Sequence, residues 1–197
     1  MNPCRLDDKA QDELFRKART HNAWQDREVP DALLHEIYDL MKYGATSANC
    51  SPSRIIFVKT PESKERLKLH LAEGNVEKTM SAPVTAIIAH DMEFYEKLAQ
   101  LFPHTDAKSW FVGNEQLIAD TAFRNGSLQG AYLMLAARGL GLDCGPMSGF
   151  DVGGLKGEFF DGSAVEPNFL CNLGYGDESA LHPRSPRLTF DEACSIL

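Results

Sequence analysis

The sequence predicts an α+β fold. Three observations carry the reading: helical periodicity dominates the chain, the apolar runs suited to strands are short and few, and strand and helix do not alternate regularly. The last point disfavours a doubly wound parallel sheet, which needs a helix between successive strands. The 197 residues, 43% hydrophobic and 24% charged, have the composition of an ordinary globular chain. A chain of this length buries about 70% of its unfolded surface, enough for one substantial core. No linker, repeat or low-complexity tract divides it, so residues 1–197 read as one domain.

The elements follow in order. Leu33, Leu34, Ile37, Tyr38 and Met41 recur at helical spacing with Gly44 after them, which predicts a helix over 31–43. The small, polar stretch 45–53 reads as a loop, and 55–58 as a short buried strand. Pro61 suits the first turn of a charged helix ending near Gly74. A second buried strand spans 84–89. Asp91 is placed to cap a short helix over 92–101, which Pro103 stops. The longest helical signal, 114–138, carries Leu117, Ala122, Phe123, Leu128, Ala131, Tyr132, Leu135 and Ala136 on more than one face, as a central or interface helix does. Gly126 and Gly130 within it cost about 1 kcal/mol each relative to Ala, which implies close approach of another backbone or a ligand. Gly139 and Gly141 end it. The stretch 145–150 reads as a turn-rich loop, 158–160 as a helical turn, 168–174 as a third strand, and 184–197 as a basic tail running into a helix.

Several function classes are disfavoured. A net charge of -8 speaks against general attraction to nucleic acid or an anionic membrane. The five cysteines, Cys4, Cys50, Cys144, Cys171 and Cys194, are odd in number and include no CxxC pair, which argues against a disulfide framework or a zinc site. Free thiols suit a reducing compartment, and the expected location is the cytoplasm. Residues 1–10 carry Asp7 and Asp8 without the apolar run of a signal peptide, and no stretch approaches the roughly 18 apolar residues of a spanning helix. The six histidines are scattered without metal-ligand spacing, so no metal is expected. In Gly145-Pro146-Met147-Ser148-Gly149 the serine is one position away from that of a nucleophile elbow, and Cys50 reads as a small buried cysteine. There is no P-loop. The glycines of 139–144 lack the third member of a Rossmann fingerprint and follow a helix rather than a strand. A nucleotide here needs cations and side-chain amides instead.

Three polar segments answer that requirement: Arg19-Thr20-His21-Asn22-Ala23-Trp24, Thr46-Ser47-Ala48-Asn49-Cys50-Ser51-Pro52, and Arg184-Ser185-Pro186-Arg187. Each alone is equally a surface feature: a helix-end charge, a loop of Asx-type turns, a pair of solubilising cations. In order, however, they resemble the nitroreductase family of FMN enzymes, over nearly the whole chain from about Phe15 to Ala193. Asn49-Cys50-Ser51-Pro52 is similar to the family's Asn-x-x-Pro loop, and Asn75-Val76-Glu77-Lys78 to its Asn-x-x-Lys pair. Pro146 to Asp151 is similar to its Pro-x-x-Gly-Phe-Asp loop, 168–176 to its late strand ending in Gly-Tyr, and Arg187 to its closing arginine. Thr20-His21-Asn22 and Phe123-Arg124-Asn125 add a resemblance to the RutE/HadB-like subgroup, which includes malonic semialdehyde reductase.

The resemblance implies a central, mostly antiparallel sheet flanked by helices, a long central helix and an intertwined homodimer. It implies FMN as cofactor and NADPH or NADH as co-substrate. The subgroup implies reduction of malonic semialdehyde to 3-hydroxypropionate in pyrimidine degradation. A broad nitro- or quinone reductase and a non-catalytic flavin-binding module are the alternatives. Arg19, Arg184 and Arg187, with Thr20 and His21 beside them, would hold the FMN phosphate. The Asn75 amide would match the pyrimidine edge, and Lys78 or Asn22 would stabilise charge at N1 and O2. Pro146 and Met147 would border the flavin. Ser148 or Gly149 would direct a backbone N–H at the hydride-accepting N5, which makes these two the catalytic assignment. Thr46, Ser47 and Asn49 would come from a second subunit. The chain departs from many relatives in having Asn22 at a basic position, Ser148 at a Glu position, and Ser185 at the position of a second cation.

Overall fold

The structure, a computed structural model, describes residues 5–197; Cys4 and the beginning of the 1–10 stretch lie outside the described residues. Four strands, β1 (Ser53–Val58), β2 (Val84–Asp91), β3 (Asp143–Met147) and β4 (Val165–Gly174), form a sheet in the order β1-β2-β4-β3, antiparallel throughout. The helices are α1 (Asp8–Gln11), α2 (Asp31–Met41), α3 (Pro61–Lys68), α4 (Glu73–Met80), α5 (Leu98–Leu101), α6 (Glu115–Gly139), α7 (Val152–Phe159) and α8 (Phe190–Ala193). This is the α+β arrangement that the sequence predicts, with the long helix α6 lying against the sheet.

Strand β2 is buried on both faces, and its alternation sorts the core. Val84, Ala86 and Ile88 pack with Ile37 and Met41 of α2 and Leu133 and Ala137 of α6. Ile87 and Ala89 face the other way, onto Leu67 of α3, Leu155 of α7 and Phe160. Each fully buried Ile or Leu contributes about 1.5–3 kcal/mol. A third cluster, built on Phe94, Leu98 and Phe111, fills the excursion between β2 and α6. Helix α6 begins where Asn114 accepts from the Leu117 N–H at 3.1 Å. Its glycines serve close approach to side chains. A Cβ at Gly130 would stand 2.4 Å from the ring of Phe169, and one at Gly126 would stand 2.9 Å from His90 Cβ.

Four local expectations need correction. The stretch 145–150 is not simply a loop, because Gly145, Pro146 and Met147 belong to β3. Proline is tolerated there because β3 is the outermost strand of the sheet, laddered to β4 and met beyond it by a single-residue bridge from Thr20 at Cys144. The predicted helix over 61–74 is two helices, α3 and α4. Between them the chain turns to meet the loop after β3: the His70 carbonyl accepts from the Asp151 N–H at 2.7 Å, and the Ala72 N–H donates to the Gly149 carbonyl at 3.1 Å. Asp91 ends β2 rather than capping a helix, with its carboxylate 2.6 Å from Arg54 Nη2. The helical turn near 158–160 is the end of α7, an eight-residue helix capped by Asp151.

Candidate functional site

The first and third polar segments converge. Arg19, Thr20, Asn22, Arg184 and Arg187 line a cleft of about 660 Å³, together with Arg16 and Arg138. The chain ends are stitched together by guanidinium-to-carbonyl bonds. Arg19 donates to the His182 carbonyl, Arg184 to the Ala18 carbonyl at 2.9 Å, and Arg138 to the Arg19 carbonyl at 3.4 Å. Arg16 is neutralised by Asp8 and Asp12. Arg19, Arg138, Arg184 and Arg187 form no ion pair with a carboxylate among the described residues. The buried Nε of Arg138 also has no hydrogen-bond partner there. These four guanidinium groups, three of which line an adjoining cleft with Glu13, Asp143 and Glu178, concentrate positive charge in a chain of net charge -8. Their planar forks suit phosphate oxygens in particular.

Asn22 also borders an adjoining cleft of about 510 Å³ with Trp24, Gly74 and Lys78. The two clefts share Asn22, and the second borders α4. Asn75, on the first turns of α4, donates from Nδ2 to the Gly149 carbonyl at 2.7 Å. That carbonyl also receives the Ala72 N–H, so the Ser148–Gly149 turn is fixed to the start of α4. A Cβ at 149 would stand 2.6 Å from Asn75 Nδ2, so a larger residue there would displace the Asn75 amide. Ser148 is exposed. Pro146 and Met147 lie in β3, where buried Met147 receives the Thr79 hydroxyl on its sulfur at 3.5 Å.

His21 is buried, its Nε2 is 3.4 Å from Asp143 Oδ1, and its N–H donates to the Cys144 carbonyl at 3.1 Å. It fastens the segment 20–22 along β3, and it lines not the 660 Å³ cleft but an adjoining one of about 610 Å³ with Arg19, Arg138 and Arg184. Thr46, Ser47 and Asn49 line none of these clefts. Their loop is held against α6: Asn125 Oδ1 accepts from the Ser47 N–H at 2.8 Å, and Gln129 Oε1 accepts from the Ser53 N–H at 2.8 Å. Thr46 Oγ1 accepts from the Ser51 N–H, and Asn49 Nδ2 donates to the Leu101 carbonyl. Ala48, Asn49 and Ser51 all have positive φ, at 49°, 50° and 40°. Such strain costs of order 1–3 kcal/mol per residue and persists only where the surroundings enforce it. Burial pushes the Cys50 thiol up to about 11, so it is protonated and unreactive at neutral pH.

Arg138 is the member of the cleft that the sequence did not disclose. A basic residue in the last turn of a helix reads as a partner for the helix dipole. The available signal is its place between Ala137 and Gly139, at the end of an otherwise apolar turn. Among the described residues no cluster of His, Cys, Asp and Glu is arranged for a metal, and no helix is long and apolar enough to cross a membrane.

The sequence pattern of the Nitroreductase family matches residues 15–174. The chain belongs to the nitroreductase family. A Burkholderia lata protein named NADH dehydrogenase/NAD(P)H nitroreductase is 63% identical over 191 residues, spanning 97% of this chain and 98% of that protein. A protein of the same name from Polynucleobacter asymbioticus is 60% identical over 192 residues, with 98% of each chain covered. Among solved structures, a nitroreductase from Exiguobacterium sibiricum in complex with FMN superposes with a TM-score of 0.85 at 17% identity, covering 100% of both chains. The nitroreductase fold is thus shared at low identity, as the four-stranded antiparallel sheet and the long helix α6 require.

Proposed function

We propose that the protein is an FMN-dependent NAD(P)H oxidoreductase that works as a homodimer in the cytoplasm. Its substrate in this reading is malonic semialdehyde, reduced to 3-hydroxypropionate in pyrimidine degradation. The observation that carries the cofactor reading is the arginine cleft, which shares Asn22 with the cleft beside α4. The donor set fits FMN. Arg19, Arg138, Arg184 and Arg187 would hold the phosphate, with Thr20 adding a hydroxyl. Asn75 spends Nδ2 on Gly149, which leaves Oδ1 to accept from an N–H of the pyrimidine edge. Asn22 and Lys78 would face the side of the ring that becomes negative on reduction.

Bound FMN supplies the hydride chemistry, between a reduced nicotinamide and the substrate. The chain binds and orients. Ser148 and Gly149 present backbone N–H groups from a turn clamped by Asn75 and Ala72, with Pro146 and Met147 stiffening the approach. His21 holds the phosphate segment in place from behind. The reading assigns the partner subunit's Thr46, Ser47 and Asn49 to the same site. Support for a second copy comes from the apolar side chains that one chain leaves open on α2 and α6, among them Tyr38, Leu40, Phe123 and Leu128.

Denaturing the purified protein and recording the absorbance of what is released tests the cofactor. FMN at one per chain is expected, and a protein that neither carries nor takes up FMN overturns the reading. Anaerobic reduction by NADPH, followed by mixing with malonic semialdehyde, tests the substrate. A second reading is a broad nitro- or quinone reductase, and the relatives' names favour its nitroreductase part. Turnover of a nitroaromatic with equal or better kcat/KM would replace the aldehyde assignment.

A further inference from the structure

Helix α4 ends without a glycine cap; Ser81, Ala82 and Pro83 follow Met80. A helix end leaves its last carbonyls without partners inside the helix. Here side chains from three other segments take them. Lys64 Nζ, from α3, donates to the Thr79 carbonyl at 2.8 Å. Asn172 Nδ2, from β4, and Trp24 Nε1 both donate to the Lys78 carbonyl at 3.1 Å. Lys64 Nζ also donates to Thr85 Oγ1 on β2 at 2.7 Å, and the Thr85 hydroxyl donates to Asn172 Oδ1 at 2.7 Å. The donors therefore run in a chain from Lys64 through Thr85 and Asn172 back to α4.

Lys64 is 4% exposed, while Thr85 and Asn172 are fully buried. Among the described residues no carboxylate pairs with Lys64. Burying an unpaired ammonium is unfavourable, and here it lowers the pKa to about 7. Methionine would occupy similar space without that penalty. What lysine adds is N–H donors for acceptors on two different elements. Those elements bear on the site. Helix α4 carries Asn75 and Lys78, Asn75 holds the Gly149 carbonyl, and Trp24 ends the segment that begins at Arg19.

We propose that Lys64 is a positioning residue of the candidate site. Its ε-amine fixes the end of α4, so that Asn75 meets Gly149 and the Arg19–Trp24 segment docks on the same helix. The functional weight of this assignment rests on the FMN reading, but the contact chain is testable without ligand. Hydrogen exchange of the Ala72 amide, which bonds to Gly149, reports the clamp in protein free of FMN. Lys64→Met is expected to speed that exchange. It is also expected to weaken FMN binding about tenfold, the equivalent of one lost hydrogen bond, and to change the visible circular dichroism of bound flavin. Thr85→Val is expected to act in the same direction and more weakly, and Thr85→Ser to restore wild-type behaviour. Unaltered Ala72 exchange and unaltered FMN affinity in Lys64→Met overturn the proposal and leave the FMN reading intact. If the wild type takes up no FMN, the FMN reading fails and Ala72 exchange alone decides the positioning role. If Lys64→Met does not fold, the Thr85 pair decides it.

Discussion

The arginine cleft and the 46–53 loop are both polar, and both were candidates for ligand contact, yet they are built in opposite ways. The cleft is assembled from parts far apart in sequence, and its cations rest on carbonyl oxygens, which leaves their charge uncompensated. The loop is one contiguous stretch, with the Ser47, Ser51 and Ser53 N–H groups and the Thr46 and Asn49 side chains partnered inside the chain, the Ser53 hydroxyl buried without a partner, and three residues held at positive φ. Spare charge marks a surface made to receive a ligand. Satisfied donors and enforced strain mark a surface made to keep its shape. The cleft thus carries charge free to meet an anion, and the loop is a preformed surface.

Substitutions separate the two. Arg19→Ala is expected to produce the largest effect, weakening FMN about 10- to 100-fold through the loss of a charge-assisted pair worth about 1.5–3 kcal/mol. Fluorescence titration reads the affinity. The melting temperature without FMN should stay nearly constant, and a large drop would make Arg19 a structural residue. Asn125→Ala leaves the Ser47 N–H without its acceptor and should cost about 1–2 kcal/mol of stability in urea unfolding. Unchanged stability would mean that α6 does not hold the loop. Ala48→Gly relieves a left-handed alanine and should stabilise by about 0.5–1 kcal/mol, net of the added chain entropy. Destabilisation would show that the strain is not where the backbone places it.

A separate signal, one of pH, comes from Lys64 rather than from the cleft. Burial lowers the Lys64 pKa from its ordinary 10.5 to about 7. Below about 7 both folded and unfolded chains carry the proton, and the burial penalty is fully present. Between about 7 and 10.5 the unfolded chain binds a proton that the folded chain does not, so stability rises with pH across that window. The stability of the wild type relative to Lys64→Met should therefore increase from pH 6 to pH 9. Urea unfolding at both values checks it, and a flat or falling difference contradicts the burial of the amine.

Helix α2 was legible because its buried residues recur at helical spacing, α6 because its helical signal is long, and strands β1 and β2 because each is a short apolar run. Strand β3 was not, because Gly145-Pro146 reads as a turn unless the neighbouring strand is known. Strand β4 starts three residues earlier than its apolar run, at Val165, where Pro167 sits beside a break in register opposite Ile88 and Ala89. Arg19, Arg184 and Arg187 were visible as separate cations, but their meeting depends on contacts between the chain ends that no local pattern encodes. His21 sits among donors and so read as one more of them, yet its ring is buried against Gly176. Lys64 was hidden in the charged run of α3. Its spacing of three from Leu67 was the one sign that it points inward.

The stitching of the chain ends has a temporal consequence. Arg19 and the His182 carbonyl are 163 residues apart, and Arg184 and the Ala18 carbonyl are 166. Contacts of such separation cost more loop-closure entropy than local ones. During synthesis the amino-terminal half of the cleft leaves the ribosome long before its counterpart exists. A nascent or prematurely terminated chain can build most of the sheet and still lack the place where an anion would dock. Cofactor capture at that cleft would therefore act as a receipt for a finished polypeptide.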